Sequence, residues 1–120
     1  MSLKLRFITI RDNYVINQVK KIVFPEFTDD KVRRYRIVFK GRVQHVGFRL
    51  EVCELAKRLE LTGFCQNLEN GDVLVELQGP KEKIMFLVKF MESLVRIKIK
   101  KREVEPLKVD KEEKEFVKKA

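Results

Sequence analysis

The sequence predicts an α+β sandwich in which two helices cover one face of a mainly antiparallel sheet. Three observations support this prediction. Two segments carry a single apolar stripe at helical spacing, short strand-like segments alternate with them, and an Asn-Gly pair separates two of those strands as a hairpin turn does. From residue 35 the order is β-α-β-β-α-β, followed by one short strand near the C-terminus. This order is typical of a split βαβ, ferredoxin-like sandwich.

Length and composition fit one folded domain. The 120 residues are 44% hydrophobic, which is enough for a single core. Lys4 and Arg6 interrupt the apolar residues at the start, so we expect neither a signal peptide nor a membrane span, and we expect a soluble, cytoplasmic protein. Cys53 and Cys65 are too few for a disulfide framework and are expected to be buried. The net charge of +9 favours anionic partners without naming one.

Residues 1–33 form a predicted N-terminal extension ahead of a domain at residues 34–120. Residues 3–10 mix apolar and basic side chains in an extended pattern, which predicts a short strand. Residues 14–24 have helix-like apolar spacing, which predicts a short helix that Pro25 ends. We expect the extension to pack on the sheet or on another subunit, and a partner-binding arm is the alternative.

The domain begins with a strand, a loop and a helix. Residues 35–40 carry apolar side chains on both faces, which indicates a central strand. Residues 41–47 form a loop rich in small residues, and residues 48–61 follow as a helix. The apolar stripe of that helix has i, i+3, i+4, i+7 spacing and consists of Val52, Leu55, Ala56 and Leu59.

A hairpin comes next. Residues 64–68 and 73–78 are its strands, and Asn70-Gly71 between them predicts a type I′ turn, which requires positive φ at both central residues.

The rest of the domain is a helix and two strands. Gly79-Pro80 precedes the second helix, whose stripe runs from Ile84 to Val95. Residues 96–100 alternate apolar and basic side chains and predict a fourth strand. After a charged run, residues 115–118 predict the last short strand.

The stretch Gly41-Arg-Val-Gln-His-Val-Gly-Phe-Arg49 joins the first strand to the first helix. Such a loop can turn several backbone N–H groups toward one point, where the positive end of the helix dipole adds to them. Arg49, in the first turn, adds a guanidinium that suits two oxygens of a phosphate. The stretch therefore predicts an anion-binding cradle, although a plain surface position for Arg49 remains the alternative at this point.

Conventional catalytic groups are scarce in this sequence. It contains one His and only two Ser, and it has no cluster of metal ligands, no Walker-type loop and no Ser or Cys next to a base. An enzyme of this composition positions and stabilises its substrate rather than supplying a strong acid or base. Cleavage of a reactive phosphate anhydride suits such a protein, because its loose transition state mainly requires that oxygens be bound and the nucleophile oriented.

Two linked motifs resemble those of the acylphosphatase family. The first is residues 41–49, against the family pattern G-x-V-Q-G-V-x-F-R, and the second is Gly63-Phe-Cys-Gln-Asn67, against G-x-V-x-N. Asn70-Gly71 and Gly79-Pro80 follow, so the resemblance covers residues 34–120. It implies a small hydrolase, without cofactor or metal, that splits small-molecule acyl phosphates into carboxylate and phosphate.

The resemblance also implies a role for each matching position. Arg49 would bind the phosphate, and Asn67 would hold the attacking water, whose proton the substrate oxygens help to take. Gln44 and Phe48 would mainly shape the loop. The backbone groups that would cradle the phosphate belong to Val43, Gln44, His45, Val46, Gly47 and Phe48.

His45 departs from the family pattern, which has glycine at the fifth position of the first motif. If that position needs positive φ, a histidine there costs on the order of 1 kcal/mol. The substitution is then tolerated, or it impairs the hydrolase, or its imidazolium adds attraction for phosphate.

Two other functions compete with hydrolysis. One is a non-catalytic module that binds an anion or RNA, and the other is a pseudoenzyme that senses phosphate. The strands lack the aromatic pattern of RNA-binding ferredoxin-like modules, so nucleic acid is not the partner we expect.

Overall fold

A computed structural model describes residues 2–120, and this part of the chain contains three helices and five strands. None of its helices is both long enough and apolar enough to cross a bilayer. In chain order the elements are α1 (Leu3–Lys21), β1 (Val32–Arg42), α2 (Phe48–Arg58), β2 (Thr62–Asn67), β3 (Val73–Pro80), α3 (Lys81–Ser93), β4 (Lys98–Leu107) and β5 (Phe116–Lys118).

The five strands form one mixed sheet in the order β4-β1-β3-β2-β5. β1 and β2 each pair antiparallel with β3, and β4 pairs antiparallel with β1. β5 adds to β2 in parallel at the other edge. The predicted α+β ferredoxin-like sandwich is confirmed, with β1 as a central strand and α1 as an additional helix.

The sheet register brings the two predicted motifs to the same end of the sheet. Val73 of β3 lies opposite Phe39 of β1 on one side and opposite Asn67 of β2 on the other. β1 and β2 therefore run in the same direction, and their C-terminal ends lie at the same end of the sheet. Since neighbouring strands are about 4.8 Å apart, the end of β2 lies roughly 10 Å from β1, close to the loop that follows β1.

The core lies between the sheet and its helices, and the other face of the sheet is polar. Val15 and Val19 of α1 are buried in the same apolar cluster as α2, α3 and the inner face of the sheet. On the other face, Arg34 is 7% exposed and donates to Glu76 Oε1 at 2.9 Å and to Glu113 Oε1 at 2.7 Å. These hydrogen bonds raise the pKa of Arg34, with Glu113 as the largest cause. The segment after β4 is thus fastened to the sheet through Glu113.

The N-terminal extension differs from its prediction. The expected strand at residues 3–10 is wrong, because Leu3–Lys21 is one helix. The helix expected at residues 14–24 is present, but it begins eleven residues earlier and ends at Lys21. The Ser2 hydroxyl accepts from the Leu5 amide at 3.2 Å and caps its N-terminus. The apolar residues that suggested a strand, Leu3, Leu5 and Phe7, are all exposed, so their alternation did not report a buried sheet face.

The C-terminal end of α1 is anchored to α2. Arg58 Nη1 donates to the carbonyl of Val19 at 2.5 Å and to that of Ile22 at 2.8 Å. Its guanidinium also lies 4.3 Å from the ring centroid of Phe24. These contacts satisfy carbonyls at the helix end. Together with buried Val15 and Val19 they fix α1 against the domain.

The hairpin turn also differs from its prediction. A type I′ turn at Asn70-Gly71 needs positive φ at both residues, but only Gly71, at 95°, has it. The Gly71 amide instead donates to the Leu68 carbonyl at 3.2 Å, and the Leu68 amide donates to the Asp72 carbonyl at 2.9 Å. The turn is therefore one residue longer, with glycine in the left-handed position.

Two elements have bounds that differ from the predicted ones, for physical reasons. Helix α2 ends at Arg58, whereas the sequence predicted that it extends to residue 61. Glu60 adopts φ 60°, so the helix cannot continue through it. The fourth strand runs over Lys98–Leu107 rather than residues 96–100. It pairs only with β1, so most of its side chains face solvent and the apolar alternation is lost after Ile99.

Candidate active site

A cavity of about 300 Å³ opens at the end of β1, beside the loop that leads into α2. Six of the residues predicted from sequence line it, namely Val43, His45, Gly47, Phe48, Arg49 and Asn67. Gln44 and Val46 do not line it. The structure thus brings the loop, the arginine and the asparagine to one place.

Side chains of the loop hold its shape from the protein side. Val43, Val46 and Phe48 are 1%, 8% and 2% exposed and are anchored in the core. Gln44 Nε2 donates to the carbonyls of Leu68 at 2.7 Å and Asp72 at 2.9 Å, which ties the loop to the hairpin. This agrees with the expectation that Gln44 and Phe48 shape the loop.

The amides of residues 44–47 donate no hydrogen bond to any atom of residues 2–120. The carbonyl of Val46 accepts from Arg96 Nε at 2.5 Å. In a trans peptide unit the N–H points away from the carbonyl. Because Arg96 binds the Val46 carbonyl, the amide of Gly47 in the same peptide unit points away from Arg96. The loop thus keeps a run of N–H groups that an anion could bind.

Arg96 is in turn positioned by a buried carboxylate in α2. Glu51 is fully buried, and its Oε2 accepts from Arg96 Nη2 at 3.1 Å. Its Oε1 has no hydrogen-bond partner within residues 2–120. Burial raises the pKa of Glu51, and the charge of Arg96 opposes that shift.

The loop uses positive φ at two positions. Gly47, the N-cap of α2, has φ 80°, and His45 has φ 63°. The fifth position of the motif therefore does adopt the left-handed conformation in which glycine is free of strain. His45 is exposed, and its side chain makes no hydrogen bond within residues 2–120.

Arg49 extends from the first turn of α2 along the cavity. Its Nη1 donates to the carbonyl of Lys119 at 2.7 Å, so the segment after β5 holds one corner of the guanidinium. The carbonyl of Arg49 accepts from the thiol of Cys65 at 3.7 Å. Burial raises the pKa of that thiol to about 12, so it stays protonated at neutral pH and is no nucleophile.

Asn67 lies at the end of β2, where the strand meets the cavity. Its Oδ1 is buried and has no hydrogen-bond partner within residues 2–120. Such an oxygen costs about 1–3 kcal/mol unless it finds a donor. A bound water molecule that donates to this oxygen offsets that cost.

Helix α1 forms a wall of the cavity that the sequence reasoning missed. Lys4, Ile8, Arg11 and Asp12 line it, together with Leu50 and Lys118. The available signal was the spacing of Lys4, Ile8, Arg11 and Val15, which places them on one helical face. The strand prediction concealed that face.

No group of three or more His, Cys, Asp or Glu side chains within residues 2–120 is arranged to hold a metal ion. The cavity is lined by loop backbone, by the cations Lys4, Arg11, Arg49 and Lys118, by the Asn67 carboxamide, by the His45 imidazole and by the Asp12 carboxylate, which pairs with Arg11. This set suits a phosphate and a water molecule.

Comparisons with known proteins agree with these motifs. The family model named Acylphosphatase matches residues 35–118. An acylphosphatase from Geobacillus kaustophilus is 33% identical over 86 residues, which is 71% of this chain and 92% of that protein. An acylphosphatase from Clostridium beijerinckii is 46% identical over 55 residues, but this match spans only 46% of the chain and 61% of the relative's length.

The fold agrees as well. The crystal structure of acylphosphatase from Bacillus subtilis superposes with a TM-score of 0.68 at 26% identity, covering 75% of this chain and all of that one. α1 lies outside the residues that match the family model. From residue 35 to residue 118, the chain belongs to the acylphosphatase family.

Proposed function

We propose that this protein hydrolyses acyl phosphates, splitting the carboxyl-phosphate anhydride into carboxylate and phosphate. One observation carries the proposal: a single cavity is lined by four of the cradle residues 43–48 together with Arg49 and Asn67. The amides of residues 44–47 in that cradle donate no hydrogen bond within residues 2–120. Membership of the acylphosphatase family supports it, since the relatives that match bear that name.

The loop and Arg49 bind the phosphoryl group in this proposal. The amides of residues 44–47 and those of the first turn of α2 donate to its oxygens, and the helix dipole adds to their field. Arg49 donates from the remaining N–H groups of its fork. Because these donors are fixed before the substrate arrives, they stabilise the charge on the oxygens in the transition state without reorganising.

Asn67 orients the attacking water. Its amide oxygen accepts a hydrogen bond from one O–H of the water, which leaves a lone pair of the water oxygen directed at phosphorus. The P–O bond to the acyl group breaks as the new P–O bond forms. The O–H that Asn67 holds stays on the phosphate, and the other water proton passes to a substrate oxygen. The leaving carboxylate is stable at neutral pH, so no general acid is needed.

The competing functions make different predictions. A phosphate-sensing pseudoenzyme would bind inorganic phosphate in the same cradle without turnover. A non-catalytic binder of nucleic acid would lose affinity steeply with salt and would show no acyl-phosphate hydrolysis. The open, cation-rich cavity suits a small anion, whereas no observation on the strands favours stacked bases.

The test is hydrolysis of benzoyl phosphate at neutral pH, with EDTA present. We expect turnover in the wild type and a fall in kcat of about 100-fold or more in Arg49→Ala and in Asn67→Ala, as for removal of one oxyanion donor. Arg6→Ala and Asn13→Ala are matched controls, because both residues are exposed on α1 and neither lines the cavity. They should retain the wild-type rate.

Absence of turnover in the wild type would refute the proposal, and phosphate binding under those conditions would favour the sensor. Rates within threefold of wild type in both site variants would remove Arg49 and Asn67 from the mechanism. Circular dichroism of every variant checks that the fold is retained.

A further inference from the structure

We propose that α1 gives this site a second anion-binding position, so that the preferred substrates are acyl phosphates whose acyl group carries its own negative charge. Lys4 and Arg11 would recognise that charge. The inference rests on the proposed function and specifies which acyl phosphates the site selects.

The inner face of α1 changes character where it passes the cavity. Lys4, Ile8, Arg11 and Val15 follow one another at i, i+4, i+7 and i+11, so they share one face of the helix. Val15 is fully buried in the core, whereas Lys4 and Arg11 line the cavity. The face of α1 is therefore apolar where it meets the core and carries two cations where it meets the cavity, which suits an anionic ligand.

Arg11 lies directly on the cradle. Its Nη1 is 3.5 Å from the carbonyl of His45, and a Cβ atom added to Gly47 would lie 3.2 Å from its Nε. The guanidinium therefore covers the loop on the side of α1. The same cavity continues from the loop to Ile8 and Lys4, so it has room along this wall for the acyl group of a phosphate bound by the loop.

The charge of the cavity exceeds what a phosphoryl group neutralises. Its lining includes the cations Lys4, Arg11, Arg49 and Lys118, against one carboxylate, Asp12, which pairs with Arg11 at 3.0 Å. Lys4 makes no ion pair within residues 2–120. The phosphoryl group of an acyl phosphate brings up to about two negative charges. A carboxylate on the acyl group would supply the remaining one.

The wall is separate from the part of the chain that matches the family. The family model covers residues 35–118, and α1 ends at Lys21. α1 is nevertheless fixed in place by Val15, Val19 and Arg58. The selectivity we infer therefore comes from an element added to the catalytic domain.

The experiment compares two substrates of nearly equal size. Succinyl phosphate carries a distal carboxylate, and its monomethyl ester carries a neutral group in the same position. We expect the wild type to show a kcat/KM at least fivefold higher for succinyl phosphate, chiefly through KM. Lys4→Gln and Arg11→Gln should each lower the ratio of the two kcat/KM values by about two- to fivefold, the range of one solvent-accessible charge contact.

Arg6→Gln is the matched control, since it removes one positive charge from the solvent-facing side of the same helix. Its ratio should equal that of the wild type. Any of three results would overturn the inference: a wild-type ratio near one, an unchanged ratio in both Lys4→Gln and Arg11→Gln, or an equal loss in Arg6→Gln. In each case, turnover of the methyl ester would still uphold acyl-phosphate hydrolysis. Failure to hydrolyse either substrate would instead refute the proposed function.

Discussion

Replacing His45 by glycine should stabilise the protein. His45 has φ 63°, where a residue with a Cβ pays about 1–2 kcal/mol. Glycine removes that strain, but its extra freedom in the unfolded chain costs about 0.4–1 kcal/mol. The exposed imidazole makes no hydrogen bond within residues 2–120, so little else is lost. We therefore expect His45→Gly to raise the free energy of unfolding by about 0.5–1 kcal/mol, and Tm by roughly 2–5 °C.

Urea unfolding of wild type, His45→Gly and His45→Ala measures this directly. His45→Ala is the control, because it removes the imidazole and keeps the strained Cβ. It should be no more stable than the wild type. If glycine destabilises the protein as much as alanine does, the positive φ of residue 45 carries no strain that glycine relieves.

The same variants address activity. The cradle already has its amides unpaired with histidine present, so we expect kcat/KM of His45→Gly to stay within threefold of the wild type. A rise of tenfold or more would show that histidine impairs the loop. A loss of tenfold or more that both variants share would show that the imidazole side chain contributes to substrate binding.

Three further predictions concern buried groups. The thiol of Cys65, with its pKa raised to about 12, should not react with iodoacetamide in the native protein at pH 8, and rapid labelling would contradict its burial. Because the folded pKa of Glu51 is raised, its contribution to stability is present below its unfolded pKa and is lost as pH rises through the folded value. Urea unfolding at pH 4 to 7 should therefore show the stability of Glu51→Gln improving relative to wild type as pH rises, and a constant difference would refute this. Arg34→Ala should lower the free energy of unfolding by about 2–4 kcal/mol, since it leaves carboxylates unpaired, whereas the partner change Glu113→Gln should cost less because Glu113 is 16% exposed.

The domain from residue 35 onward was predictable because its signals agree with one another. Helical stripes, a hairpin turn and two glycine-containing motifs all indicate the same sandwich, which the structure confirms. Asn67 could be placed near the loop from its motif, and the register of β3 between β1 and β2 explains why the two meet.

α1 was not predictable in the same way. Its apolar residues do not mark its buried face, since Phe7 is 63% exposed while the inward positions near the cavity are Lys4 and Arg11. Periodicity reports a face only when burial selects its residues. Near the cavity the inward positions are charged, so the first half of α1 lacks the apolar helical pattern that residues 14–24 show.

The geometry of the cradle depends more on its anchors than on the residue at position 45. Val43, Val46 and Phe48 fasten the loop into the core, and Arg96 and Arg11 hold its carbonyls from outside the loop. Each peptide unit that is held by its carbonyl has its N–H directed the other way. A loop constrained at so many points can keep one residue in a strained conformation, because releasing that strain would cost the contacts on either side.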